Sequence, residues 1–128
     1  MGLQETRCCF IEKRDRLILQ KIIAYCNRIA DNLNRYHHDF SAFESDYMFQ
    51  DACCMCVVQI GELVGKLSGE ATQQNPAIPW RIIKDTRNFY VHAYGAIDVP
   101  SVWDTLENDI PDVKIACEEI LAKASNVD

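Results

Sequence analysis

No stretch of this chain approaches the roughly 18 consecutive apolar residues of a membrane-spanning helix, so none is expected. The opening MGLQETRCCFIEKRDR is charged and carries no apolar leader, which argues against a secretory signal. Paired cysteine spacing is missing too. The seven cysteines are an odd number, which disfavours a disulfide framework and makes a reducing cytoplasm the expected compartment. Period-two alternation is absent, as are internal repeats and low-complexity tracts, and these absences exclude β-sheet, solenoid and disordered classes.

What is there is one domain's worth of chain: 128 residues, 48% hydrophobic and 25% charged. A chain of this size buries roughly two-thirds of its unfolded surface, enough for a core without staples. The net charge of −6 argues against a non-specific polyanion binder. It is unevenly spread, however. Residues 1–40 carry a net of +2, residues 41–80 −4, residues 81–97 +2 and residues 98–128 −6. A small phosphate site is therefore compatible with an acidic chain.

Helical spacing dominates. From Asp15 to Tyr36, Ile18, Ile22, Cys26, Ile29, Leu33 and Tyr36 recur at steps of three and four, the mark of one buried helix face. HHDFSAF breaks the pattern, with Ser41 and Ser45 as expected N-caps. Phe49, Cys53, Cys56, Ile60, Leu63 and Leu67 place a central helix over about 45–67. Gly61 and Gly65 cost that helix about 1 kcal/mol each relative to alanine; a close helix–helix approach would explain them, but in a soluble protein their spacing is more often chance. SGEATQQNPAIP is a turn-rich connector. A third helix runs from Pro79 to Tyr94 and stops at Gly95. Asp98 caps a fourth through Trp103 and Leu106, which Pro111 either kinks or follows with a fifth. The fold class is an all-α, up-and-down bundle of four to five helices.

On a wheel at about 100° per residue, with Arg87 at 0°, Ile82, Ile83, Thr86, Phe89, Tyr90 and Ala93 form the expected core face of the third helix. Arg81, Lys84, Arg87, Asn88, His92 and Tyr94 fall on the other side, with Trp80 and Val91 among them. Apolar side chains on that arc point to a covering surface such as a second subunit. The plain reading is a solvated basic face. The chemical reading starts from residue types: cleavage of a phosphodiester through its 2′-hydroxyl needs a base active near neutrality, which imidazole supplies. It also needs a fixed cation for the charge on the phosphorane, for which guanidinium is suited.

Arg87-Asn88-Phe89-Tyr90-Val91-His92-Ala93-Tyr94 fits R-x4-H-x-Y, and in that motif the chain resembles the HEPN superfamily, specifically HepT-like ribonuclease toxins. The likeness extends over about residues 14–115. IPWRIIKDTRNFYVHAYGAIDVPSVWDTLENDIPDV resembles the family's "pW…RN…vH.Y…d…vW…lP" pattern, QIGELVGKLS its "iGE…kLs" helix and RDRLILQKIIAY its opening helix. Residues 1–13 stand apart as an N-terminal extension, leaving 14–128 as a single HEPN-like domain. The resemblance implies a cytoplasmic homodimer that joins two motifs into one RNA-cleaving cleft, with no cofactor and no metal. It also implies a type VII toxin–antitoxin pair in which an MntA-like nucleotidyltransferase antitoxin transfers AMP to the motif tyrosine. Carried onto this chain, Arg87 and His92 are catalytic, Asn88 is the supporting polar residue and Tyr94 the AMPylation site. Arg81 and Lys84 are candidate RNA-binding residues. The other reading is a non-catalytic nucleic-acid or nucleotide-binding subunit of a minimal nucleotidyltransferase; a plain helical interaction module is the third.

Other candidates are read more simply. Cys53 and Cys56 pack in the core, with Cys54 pointing away and no histidine near to complete a zinc set. His37-His38-Asp39 is a solvated loop. Glu62 faces either the cleft or water. The acidic C-terminal third is solvated surface.

Overall fold

Three long amphipathic segments and a fourth interrupted one set the architecture. The computed structural model describes residues 11–92 and 98–127, the backbone alone at 89–92 and 125–127. Its elements are α1 (Lys13–Arg35), α2 (Phe40–Ser45), α3 (Tyr47–Lys66), α4 (Gly69–Gln73), α5 (Trp80–His92), α6 (Val99–Asp104), a π-helical turn (Thr105–Asp109) and α7 (Ile110–Val127). No strand occurs among the described residues. The class is all-α, as the periodicity requires.

The apolar stripe of α1 is buried as spaced at Ile18, Ile22, Cys26, Ile29 and Leu33, with Tyr36 partly buried, and Leu19, outside the stripe, is enclosed as well. α3 occupies the centre, packed against α1 on one side and α5 on the other. It is also the one helix among the described residues long and apolar enough to cross a membrane, with mean hydropathy 1.2. Its central place accounts for that composition, because Phe49, Cys53, Val57, Ile60 and Val64 all turn into the bundle. Cys26, Cys53 and Cys117 are fully or nearly enclosed. Burial pushes the Cys26 and Cys53 thiols up to about 12 and the Cys117 thiol up as well, as desolvation of the thiolate dictates.

Polar residues fix the ends. Asp15, on the first turn of α1, is buried and accepts hydrogen bonds from Ser68 N at 3.2 Å and Ser68 Oγ at 2.6 Å. Ser68 in turn caps α4, its Oγ accepting from Ala71 N. The start of α1 is thereby tied to the end of α3, which makes the two antiparallel.

Two short helices, α2 and α4, sit where the sequence suggested a break and a connector. Their caps are Asp39 and Ser68, and that of α3 is Asp46, whose carboxylate accepts from Met48 N and Phe49 N. Ser41 and Ser45 are not the caps expected: Asp39 and Asp46 stand next to the helix starts and their carboxylates reach the free N–H groups. Before α2 the chain turns through His37 and His38, both at positive φ. The His38 ring is held between Asn34 Oδ1 at 2.9 Å and Glu107 Oε1 at 2.6 Å, so this loop is structured rather than simply solvated. An aromatic cluster closes that end, with Tyr36 stacked on Phe49 and Phe43 edge-on to Phe49.

Pro111 stands in the first turn of the last helix, as the second of the two expectations has it, and that helix follows the preceding one without a loop. The proline lacks the N–H for the bond to the residue-107 carbonyl, and its ring crowds that position. The wider π turn just before it absorbs the mismatch, Ile110 N–H reaching back to Thr105 O, so α6, the turn and α7 form one continuous run. Asp98 stands at the N-cap of α6 but its carboxylate accepts from Ser101 Oγ rather than from a helix N–H.

Candidate active site

The site is built where α5 crosses α3. Ile83 is fully enclosed and Trp80 nearly so, with the indole N–H donating to Asn75 O at 3.1 Å. Ile82 is half exposed instead. The buried side of α5 thus runs through Trp80, Ile83 and Arg87, turned roughly a quarter of a circle from the face expected on the wheel. The cause lies outside α5. Gly61 is buried on α3 and leaves a gap that the stem of Arg87 fills. A Cβ on Gly61 would fall 2.3 Å from Arg87 Cβ, 2.8 Å from its Cγ and 3.3 Å from Ile83 O. The wheel scored Arg87 as polar and turned it outward, whereas its aliphatic stem packs like a core residue and its head emerges at the rim. Trp80 needs no second subunit to cover it.

Glu62 follows Gly61 on α3 and faces the same crossing. Its Oε1 lies 3.1 Å from Arg87 Nη1. Arg87 Nε is buried without a hydrogen-bond partner among the described residues, which is costly for a charged donor. The guanidinium is therefore held at one nitrogen by a carboxylate and along its stem by the helix contact, with further N–H donors left for a ligand. The pair settles the two open directions for Glu62: it faces α5.

Asn88 is half-buried beside Arg87. Arg81 and Lys84 are exposed. Lys84 leans over Gly65, its Nζ 4.0 Å from where a Cβ there would stand. His92 is the last residue of α5 and its side chain is outside the described part; Tyr94 and Gly95 lie outside it altogether. Among the described residues no three His, Cys, Asp or Glu side chains are grouped so as to hold a metal ion, the Cys53–Cys56 and His37–Asp39 segments included. The arrangement joins a fixed, half-buried cation to a helix that carries a histidine five residues later.

Comparison with known proteins gives the family. The family model "Ribonuclease HepT-like" matches residues 22–120, and the chain belongs to that family of HEPN-superfamily proteins. Among its relatives, "Putative RNase MJ0125" of Methanocaldococcus jannaschii is 28% identical over 110 residues, covering 85% of this chain and 93% of that protein. "Probable ribonuclease HepT" of Thermococcus cleftensis is 32% identical over 81 residues, covering 63% of this chain and 74% of that protein. "Putative RNase TTE0752" of Caldanaerobacter subterraneus is 26% identical over 111 residues, 87% and 97% respectively. No solved structure matches the chain.

Proposed function

We propose that the chain is a metal-independent endoribonuclease toxin of a type VII toxin–antitoxin system, acting in the cytoplasm through a single domain that begins near residue 14. Two copies bring their R-x4-H-x-Y motifs together over one RNA strand. The observation that carries this reading is the clamped guanidinium, with Arg87 seated on Gly61 and tethered to Glu62 in a family described as ribonucleases. A side chain so held loses little freedom when it meets a developing charge, which is what electrostatic stabilisation of a transition state requires.

In this mechanism His92 removes the proton from a ribose 2′-hydroxyl, whose oxygen attacks the adjacent phosphorus. Arg87 donates to the phosphorane oxygens. The P–O5′ bond then breaks, the leaving oxygen takes a proton from an imidazolium, and the ends are a 2′,3′-cyclic phosphate and a 5′-hydroxyl. Asn88 supports Arg87, and Arg81 and Lys84 hold neighbouring phosphates. The antitoxin, an MntA-like nucleotidyltransferase, silences the site by transferring AMP to Tyr94, which adds negative charge and bulk at the RNA entrance.

The test is cleavage of a long RNA by the purified chain in EDTA. Arg87→Ala and His92→Ala should each lose about a hundredfold or more in rate, and the products should end in cyclic phosphate. Wild-type-like cleavage by His92→Ala would refute the assigned roles. Binding of RNA without cleavage by the unaltered chain, with no toxicity on expression, would instead select the non-catalytic subunit.

A further inference from the structure

A second cationic surface lies where the start of α1 packs on the end of α3. The first two turns of α1 and the end of α3 enclose a groove of about 590 Å³, rimmed by Lys13, Arg14, Lys21 and Lys66 over a floor that includes Leu17 and Leu63. No acidic side chain among the described residues lines it, unexpected in a chain of net charge −6. Two acids on the same helices are engaged elsewhere: Asp15 accepts from Ser68 and Glu62 holds Arg87. None of the four rim cations forms an ion pair with another described residue. Leu17, half exposed, is an apolar side chain among them.

The groove and the Arg87 site are joined. Lys66 is one turn beyond Glu62 on α3 and about 40° around it. The intervening Gly65 carries no side chain, and Lys84 of α5 lies across it. Cations therefore run from Arg87 through Lys84 to Lys66 and into the groove, where Lys13 and Lys21 extend the line about 12 Å along α1. A positively charged groove is how proteins track a single-stranded backbone without reading its sequence.

We propose that this groove binds the phosphates of a single-stranded RNA segment leading away from the Arg87 site, a binding role that rests on the RNA-directed reading above. Lysines on this rim supply affinity and salt dependence, and take no part in bond breaking.

The experiment uses the full chain and the double variant Lys21→Gln/Lys66→Gln, both positions being exposed. Binding of a long single-stranded oligouridylate is measured across salt concentrations, also in an Arg87→Ala background so that cleavage does not interfere. Affinity should fall roughly threefold or more per lysine removed, and the salt slope should drop by about 0.7 for each phosphate no longer neutralised. Cleavage of a ribodinucleotide, too short to reach the groove, should be unchanged. Unchanged affinity and slope overturn the proposal, including the case in which the variant loses only a protein partner. If no RNA is cleaved but lysine-dependent binding persists, the nuclease reading fails and the groove stands. If cleavage of long RNA is intact in the double variant along with its affinity, the groove fails alone.

Discussion

The Cβ of Arg87 lies so close to the Cα of Gly61 that any side chain at position 61 would collide with it: an added Cβ would be 2.3 Å away. α3 and α5 therefore meet backbone to stem, and the height at which the guanidinium leaves the crossing is set by a missing methyl group. The placing of the Arg87 cation and the helix packing are one feature.

The two glycines of α3 should separate cleanly. At Gly61 the colliding atoms are the root of a side chain and a helix carbonyl, neither of which moves without its helix. Gly61→Ala should cost about 1–3 kcal/mol, as overpacking does, and lower RNA cleavage beyond the loss of folded protein. At Gly65 an added Cβ would meet only the end of the flexible Lys84 chain at 3.7 Å. Gly65→Ala should stabilise by up to about 1 kcal/mol through helix propensity. Urea unfolding of both variants decides this; equal effects would mean that the close approach does not control stability.

Glu62→Gln keeps the shape of the side chain and removes its charge. The carboxylate is nearly half exposed, at 46%, while Arg87 is at 19%, so the pair contributes little to stability, about 1 kcal/mol or less. The expected effect is on the reaction. With the tether weakened, Arg87 samples more orientations, and kcat for RNA cleavage should fall about tenfold with KM little changed. Thermal unfolding measured alongside should barely move. A rise in KM at constant kcat would instead make Glu62 a substrate contact.

Most of the fold was legible because periodicity reports burial directly: the stripe from Ile18 to Leu33 predicts the buried face of α1, to which the structure adds Asp15 and Leu19. The rotation of α5 was not, because a wheel weighs side chains by polarity and cannot see the surface opposite. Arg87 counts as polar there, yet its stem packs into the space left by Gly61, and Ile82 is turned outward. The same limit hid the contacts of Glu62 and Gly61 with Arg87, which exist only across the α3–α5 crossing. The groove cations were hidden differently. Lys13, Lys21 and Lys66 are far apart in sequence, and the antiparallel packing of α1 on α3 brings them together. The site motif was legible as a resemblance, since its eight residues are contiguous.

Asp15 offers a test of that antiparallel register. Its carboxylate is buried and accepts from both the backbone and the hydroxyl of Ser68. Asp15→Ala would leave the half-buried Ser68 donors without their acceptor, at a cost of about 1 kcal/mol or more. Asp15→Asn, which retains one acceptor oxygen, should recover part of it. Chemical denaturation of the three proteins under one condition measures the series. Amide exchange at Ser68 should rise in the alanine variant, because its N–H is one of the two donors involved.

The buried thiols predict how stability responds to alkali. Cys26 and Cys53 are raised to about 12 by burial, and Cys117 is raised by the same cause. An unfolded thiol titrates near about 8.5. Below that value both states are protonated and these groups contribute no pH dependence. Above it the unfolded chain releases protons that the native chain retains, so the unfolding free energy falls as pH rises. Between about pH 9 and 10 each buried thiol should remove about 1 kcal/mol, a loss that continues toward the folded pKa. Replacing Cys117 by alanine leaves a cavity and lowers stability at every pH, but it removes one titrating group and should make the alkaline slope shallower. Urea unfolding at several pH values compares the two slopes directly. Parallel slopes would mean that Cys117 ionises as readily in the native protein as in the unfolded chain, so that its enclosure against α1 does not protect it.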